Sequence, residues 1–402
     1  MTMRLLPFTY AARNLGRSTG RLAMSVGGSL LVSLLAMGGT AFVLGMDGAL
    51  RASGLDRNVV LLGAGSEESA ERSEIAASTA GVVVASLRGI ASIDGQPLAS
   101  PEVNVALAVD ARATAGDGEA PDAGGLVRGV TPMAFLVHPQ VRMRAGRAPQ
   151  AGSDEVALGR SAARAAGIDD ASLAAGLDAG GEPSTVRVDG RPFRVVGLFD
   201  APGTVMDGEA WMPLTDVLVL TRRETISAVV LTLAPGATPG QVDAFAQRRI
   251  DLELSAIHEP AYYATQGAFF RPVQVMVAAS AGLVALGALL GGLNTMYGAF
   301  ASRIRELAML QVLGFGRAAI VVSMSQEALV ASMAGALAAA ALAAAFLDGI
   351  AVHFSMGTFA LRVDERTVAV GLAAGLVTGI AGCVAPAVRC LRMQIPSALK
   401  AD

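Results

Sequence analysis

Arg303, Arg305 and Glu306 open a segment of this 402-residue chain that continues through Leu307, Leu310, Val312 and Leu313 and closes at Gly314 and Gly316. Charge in the first turn, apolar residues at helical spacing and glycine at the end describe a short helix lying at a membrane surface. The chemistry such a helix can do is recognition, not bond making. Taken alone, the pattern fits two descriptions equally: an interfacial helix whose Arg303 and Glu306 merely pair at i, i+3, and a docking helix that offers those charges to a partner.

Bond-making groups are sparse elsewhere. His138, His258 and His353 are far apart in sequence and none belongs to an HExxH or similar pair, so no metal site is assigned. The single lysine, Lys400, follows no glycine-rich loop, which excludes ATP binding through a GxxxxGK[ST] loop. No serine, histidine and acid stand out as a hydrolytic set. The chain reads as non-catalytic, with no catalytic, cofactor-binding or metal-ligating residue assigned.

The elements that must position the 302–313 helix are membrane spans. Residues 22–46, 273–296, 328–347 and 367–388 are apolar and poor in charge, each at or above the roughly 20 residues a helix needs to cross about 30 Å of hydrocarbon. Arg4, Arg13, Arg17 and Arg21 precede the first span without an acid. Arg303, Arg305 and Arg317 stand against Glu306 between the second and third, and Arg389, Arg392 and Lys400 against Asp402 after the fourth. Cations gather on cytoplasmic segments, so both termini are expected inside and the long segment after the first span outside. Asp348, Asp364 and Glu365 against Arg362 and Arg366 suit an outer loop. The first apolar run exceeds the roughly 7 to 15 residues of a signal h-region and has no convincing small-x-small site directly after it, so it reads as an uncleaved anchor.

The expected architecture is an α-helical membrane protein with four transmembrane helices and a large α+β extracytoplasmic domain between the first and second. Its parts are an amphipathic leading helix (1–21), transmembrane helix 1 (22–46), the extracytoplasmic domain (47–272) and transmembrane helix 2 (273–297). There follow the cytoplasmic connecting helix (298–317), transmembrane helix 3 (318–347), an outer loop (348–366), transmembrane helix 4 (367–388) and a cytoplasmic tail (389–402). The extracytoplasmic segment carries 19 arginines against 28 acids, a net −9, which argues against nucleic acid or anionic head groups as its main partner. It has no cysteine; Cys383 and Cys390 lie seven apart near the end of the chain and cannot bridge within one helix.

Within that domain Val59–Leu62, Gly81–Leu87 and the alternating Val103, Val105, Leu107 and Val109 read as strands. Thr185–Val188, Asp189-Gly190 and Arg191–Leu198 read as a hairpin with a type I′ turn. Ala228–Leu233 reads as a strand leading into Thr238-Pro239-Gly240-Gln241, which has capping-box spacing. The helix that follows is expected to reach about Leu254 and bury Val242, Phe245, Ala246 and Ile250. Glu67–Glu74 reads as a solvated helix face and Ala111–Gly125 as a flexible loop.

Several of these segments closely resemble the FtsX-like permease family, especially its MacB-type branch among ABC transporters. The resemblance is carried by Asn294-Thr295, Arg305-Glu306, Leu313-Gly314, Glu327, the tail Pro396-Ser-Ala-Leu-Lys400 and the leading Tyr10-Ala-Ala-Arg13-Asn14-Leu15. Arg144-Ala-Gly-Arg147, Ser153–Gly159, Phe193–Leu198 and Trp211-Met-Pro-Leu214 resemble the MacB-like periplasmic core domain. The likeness extends over nearly the whole chain.

The resemblance implies a permease subunit, multi-pass in a bacterial inner membrane, that turns ATP hydrolysis by a separate cytoplasmic ATPase into motion of its periplasmic domain. The helix Ser302–Leu313 would be the coupling helix, with Arg303, Arg305 and Glu306 as polar docking contacts, Leu310 and Leu313 as apolar ones and Gly314 as its end. ATP and Mg would sit on two copies of the partner ATPase, because this chain, unlike MacB itself, carries none. A second permease, as homodimer or heterodimer, is implied, with Gly287 and Gly291 at GxxxG spacing allowing close helix approach. A periplasmic adaptor and membrane lipid are further expected partners, and nucleic acid is not one. The substrate would be a peptide, lipid, lipoprotein or hydrophobic drug. Glu327, expected near the inner interface beside span 328–347, is assigned a structural role in preference to a transport role. Within the family the alternatives are lipoprotein release and control of cell-wall hydrolases; outside it, a membrane-anchored sensor.

Overall fold

The computed structural model describes residues 19–110, 124–181, 183–301, 304–354 and 357–392. The leading 1–18 stretch, Arg303 and the 396–400 tail motif therefore lie outside the described residues, as does all but the end of the Ala111–Gly125 loop. The chain divides into two compact units. One is helical and contains described residues up to Leu44, Pro272–Ile350 and those from Leu361 onward; the other contains Gly45–Arg271 and Ala351–Ala360.

The chain begins with a long helix, α1 (Thr19–Ser53), which runs seven residues beyond the expected end of the first span. Its first part belongs to the helical unit and its last turns to the other. The mixed unit follows with β1 (Asn58–Gly63), α2 (Thr79–Ser86), β2 (Ala99–Asp110), β3 (Gly124–Val130), α3 (Ala134–Val137), β4 (Arg142–Gly146) and β5 (Glu155–Gly159). It continues with α4 (Arg160–Ala165), α5 (Asp170–Asp178), β6 (Thr185–Val188), β7 (Arg191–Asp200), β8 (Glu209–Pro213), α6 (Leu214–Thr221) and β9 (Ala228–Thr232). Last come α7 (Pro239–Arg248), β10 (Leu254–His258) and α8 (Glu259–Phe269).

Ten strands form one sheet in the order β10-β1-β9-β2-β3-β8-β5-β7-β4, and β6 pairs with both β7 and β2. Hydrogen bonding thus closes a six-stranded circuit, β2-β3-β8-β5-β7-β6, which leaves those strands without free edges. The β3–β8 and β5–β7 pairs are parallel and the others antiparallel. Val59, Leu61, Val103, Val127, Val156, Leu158, Val186, Val188, Val195 and Leu198 lie in its core. Gly159 and Gly197 allow this closeness, since a Cβ on either would run into the backbone of Asp207 or Arg147.

The Asp189-Gly190 hairpin forms as the sequence suggests, with both turn residues at positive φ (49° and 78°), as a type I′ turn requires. The Thr238/Gln241 capping box is also present, and Val242, Phe245 and Ala246 are buried. That helix, however, stops at Arg248. Ile250 begins a separate 3-10 turn, its side chain 80% exposed, and Leu254 already belongs to β10. Gly81–Leu87 is not a strand but lies largely in α2, because Thr79 and Val83, at i and i+4, bury one helical face. Glu67–Glu74 is a chain of turns instead of a helix: Ser69, Arg72 and Ser73 each donate their N–H three residues back, and Ser73 Oγ accepts from Gly63 N.

The helical unit continues with α9 (Arg271–Ala301), α10 (Ile304–Val312) and α11 (Arg317–Leu342), the last ending in a π turn, Ala343–Leu347. A short hairpin of β11 (Ala351–Phe354) and β12 (Gly357–Ala360) precedes α12 (Glu365–Arg392). Four helical stretches are long and apolar enough to cross a membrane: Leu22–Ser53, Arg271–Gly291, Arg317–Leu347 and Glu365–Cys383. In the helical unit α1, α11 and α12 meet through small residues. Ser29 Oγ donates to the Ser332 carbonyl at 2.7 Å. Gly335 sits against the α1 backbone at Val26 and Leu30, while Gly375 and Gly379 face Ala336 and Ser332.

Candidate functional site

α10 ends in a Schellman motif. Gly314, at φ +91°, donates its N–H to the Gln311 carbonyl at 3.1 Å, and Phe315 N donates to the Leu310 carbonyl at 3.1 Å. Phe315 and Leu310 then pack together with Leu307, Ile320 and Met324, which fastens α10 to the start of α11. A side chain at Gly314 meets no neighbour but is strained at that φ. Gly314→Val should therefore lower the thermal stability of the purified chain by about 1–2 kcal/mol, whereas Gly316→Ala, at ordinary φ and open space, should leave it nearly unchanged.

Arg305 and Glu306 are exposed on the first turn of α10. Leu310, expected as a docking contact, is turned inward into the Phe315 cluster, whereas Leu313 is 71% exposed. Met309 and Val312 are exposed beside it, so the free apolar face of this helix is Met309, Val312 and Leu313. Glu327 lies about 15 Å along α11 from Arg317 by helical rise. Because the apolar stretch begins at Arg317, Glu327 falls within the candidate span instead of at its edge, and it is half-buried. A Cβ built on Gly287 or Gly291 of α9 would find open space within 4 Å.

A second constellation, which sequence reasoning missed, lies inside the mixed unit. Arg128 of β3 donates from Nε and Nη2 to both oxygens of Glu209 at 2.6 Å, and from Nη1 to Glu102 Oε2 at 2.7 Å. Trp211 Nε1 donates to Glu209 Oε2 at 2.8 Å. Strand register explains the convergence. Asn104 pairs with Arg128, and Arg128 with Trp211; the side-chain period of two then puts Glu102, Asn104, Arg128, Glu209 and Trp211 on one sheet face.

That face is covered by His138, which follows α3, and by Glu259, the first residue of α8. His138 Nε2 is 2.8 Å from Glu102 Oε1, and its Nδ1 is 3.7 Å from Glu259 Oε1. All five charged or titratable side chains are at most 7% exposed. Burial alone would push Glu102 upward, but His138 and Arg128 outweigh it and hold the carboxyl down at about 2. Ionised Glu102 can only accept, so His138 Nε2 carries a proton. Burial opposes charge on His138, yet Glu102 and Glu259 together raise its pKa. Burial raises the Glu259 carboxyl, with His138 opposing. A cavity of about 50 Å³ lined by Glu102, Arg128, Glu209, Glu259, Tyr262 and Tyr263 adjoins the cluster, with room for water. No cluster among the described residues has the ligands to hold a metal ion. Charged residues in the apolar strands β2, β3 and β8 were the available signal, but nothing local said that they meet.

A profile of the MacB-like periplasmic core domain matches residues 22–248, and one of the FtsX-like permease C-terminal region matches residues 278–395. With the sheet-based unit inserted after the first apolar helix, these matches define the class as an ABC-transporter permease. The chain belongs to the FtsX-like permease family, in its MacB type. Among solved structures it is similar to the periplasmic region of MacB from Actinobacillus actinomycetemcomitans, with 15% identity, a TM-score of 0.38, and coverage of 54% of this chain and 94% of that one. It is also similar to the extracellular domain of the ABC-type transporter YknZ from Gram-positive bacteria, with 11% identity, a TM-score of 0.35, and coverage of 50% and 99%. No curated protein matches the chain.

Proposed function

We propose that this chain is the non-catalytic permease subunit of an ABC transporter, in which a separate cytoplasmic ATPase, holding ATP and Mg, drives motion of the periplasmic domain through α10. The observation that carries this reading is the form of α10 itself. The helix is capped at Gly314 and pinned to α11 by Leu307, Ile320 and Met324, and it presents Arg305, Glu306, Met309, Val312 and Leu313 outward. A short element with one side anchored and a solvent-exposed side that carries apolar Met309, Val312 and Leu313 can receive force and pass it to the spanning helix that holds it. In this reading the termini and α10 are cytoplasmic, the mixed unit is periplasmic and the membrane is the bacterial inner membrane. Two ATPases serve two permeases, and a periplasmic adaptor joins them.

The stretch Arg271–Gly291 of α9 has none of its apolar side chains buried within the chain, and Gly287 and Gly291 leave room for close approach. This supports a second permease as its neighbour. Export or extraction of a peptide, lipid, lipoprotein or hydrophobic drug then takes place on the periplasmic side.

The test is co-expression with the ATPases encoded nearby, followed by purification in membrane-mimetic discs. Leu313→Asp combined with Met309→Asp should abolish co-purification and lower ATP turnover at least about tenfold, the effect of losing roughly 1.4 kcal/mol or more at a docking interface. Gly81→Ala, a control in open space on α2, should leave both unchanged. If the double variant binds and turns over as wild type does, α10 is not the docking element and the proposal fails.

A further inference from the structure

The buried cluster sits where the chain enters and leaves the mixed unit. On the entering side, Ser53 ends α1; its carbonyl accepts from Gln140 Nε2 at 3.0 Å and its Oγ from Val205 N at 2.9 Å. On the leaving side, Glu259 opens α8, and α9 begins at Arg271. The two sides touch directly. Leu55 N donates to Glu259 Oε2 at 2.8 Å, and Gly54 lies so close to Pro260 that a Cβ would come within 2.7 Å of its Cα. Further along, Tyr262 OH accepts from Ala70 N, and Gln266 Nε2 donates to the Glu68 carbonyl at 2.8 Å. Among the described residues, Glu259 is thus the one side chain that binds the entering backbone while reaching the ionic cluster through His138.

We propose that His138 and Glu259 form a proton-dependent clamp between the entering segment Ser53–Leu55 and the leaving helix α8, tight in mildly acidic surroundings and slack in alkaline ones. Protonated His138 points one N–H at Glu102 and the other toward Glu259, so the buried Glu259 carboxylate has a counter-charge while it holds Leu55. When His138 loses that proton, an ionised Glu259 is left nine-tenths buried or more without compensation. Its cheapest escape is toward water, which gives up the Leu55 bond. The groups facing His138 are Glu102 from β2, Arg128 from β3, Trp211 from β8, and Glu259 with Tyr263 behind it from α8; Glu209 of β8 lies beyond, bonded to Arg128 and Trp211. The Arg128 hydrogen bonds go to Glu102 and Glu209 and not to Glu259, so among the described residues His138 is the cation within ion-pair reach of Glu259.

The direction with pH follows from linkage. His138 and Glu259 both have raised pKa values in the folded unit. Their protonated forms therefore stabilise it, and that stability is lost as pH rises through those values. Glu102 acts in the opposite sense: its contribution is present above the ordinary carboxylate value and vanishes only as pH falls toward about 2. The clamp is accordingly firm through the mildly acidic range and opens on the alkaline side.

The experiment is hydrogen exchange read by mass spectrometry on the full-length chain in membrane-mimetic discs, between about pH 5.5 and about pH 8.5, which brackets histidine titration. Rates are corrected for the intrinsic pH dependence of exchange. Peptides spanning 53–58 and 259–266 should lose protection on the alkaline side, about tenfold for each unit by which the His138 value is raised, while a peptide spanning β5 stays protected. His138→Gln should flatten that dependence. Glu259→Gln, which keeps an acceptor for Leu55 N but no charge, should flatten it as well. Emission from Trp211, the only tryptophan, whose ring centroid is 6.1 Å from that of His138, should titrate with the same midpoint in the wild-type chain, which provides a reading should His138→Gln fail to fold. A pH-independent wild type, a midpoint below the ordinary histidine value, or an unchanged alkaline loss in a folded His138→Gln variant would each overturn the clamp. None of these outcomes depends on whether an ATPase docks at α10.

Discussion

Replacing Arg128 with Met should destabilise the mixed unit by about 3–5 kcal/mol, the usual cost of removing one partner from a buried ionic set. Glu102 and Glu209 are fully buried, and four of their hydrogen bonds come from Arg128, His138 and Trp211 in addition to the second Arg128 bond to Glu209. Without the guanidinium, two buried carboxylates share one sheet face beside a cavity of about 50 Å³. Protonation of one of them is the only local remedy, and it costs free energy at neutral pH. The measurement is thermal unfolding of the full chain followed by Trp211 emission, since that indole is bonded to Glu209 itself. The expected result is a large fall in midpoint and a red shift in the folded baseline. The triple change Arg128→Met, Glu102→Gln, Glu209→Gln should recover much of the loss, because it removes the uncompensated charges together with the cation. A variant as stable as wild type would show that the three side chains are not desolvated in the folded protein.

Gly335→Leu should disrupt the helical unit comparably. A Cβ there would overlap the Val26 carbonyl oxygen and lie 2.9 Å from Leu30 N, both backbone atoms of α1. No rotamer relieves a clash with backbone, so the helices must separate. That forfeits the Ser29–Ser332 bond and the packing of Gly375 and Gly379 around Ala336 and Ser332. Overpacking of a fitted core typically costs about 1–3 kcal/mol and sometimes more. Proteolysis of membranes containing the full chain should cut the variant much faster than wild type, at sites within 19–44 and 317–347. Wild-type resistance in the variant would mean that α1 and α11 are not apposed there.

The elements most legible in the sequence are those whose signal is local. A run of apolar residues marks each long helix, because length and hydropathy are properties of consecutive residues. Asp189-Gly190 marks its hairpin because few other pairs tolerate positive φ twice. Thr238 and Gln241 mark the start of α7 because a capping box closes within one turn. Arg305, Glu306 and Gly314 mark α10 for the same reason, although the side of the helix on which Leu310 lies was not legible: it is set by Phe315 and Ile320 across a turn.

Where neighbours in space are not neighbours in sequence, local patterns misled or were silent. The valines of α2 favour strand by propensity, but burial of Thr79 and Val83 on one face made them helical. Closure of six strands through β6 depends on register between segments more than fifty residues apart, and nothing within either segment encodes it. Glu102, Arg128, His138, Glu209 and Glu259 look like ordinary charges one at a time. Strand pairing put three of them on one face, and the ends of α3 and α8 supplied the other two. By itself, the sequence determined the apolar helices, the turns and caps, and the family, because these rest on residues within a few positions of one another or on motifs in fixed order. Only the tertiary structure decided which charges were stripped of water and which partners compensate them, because desolvation and pairing are set by contacts between distant parts of the chain.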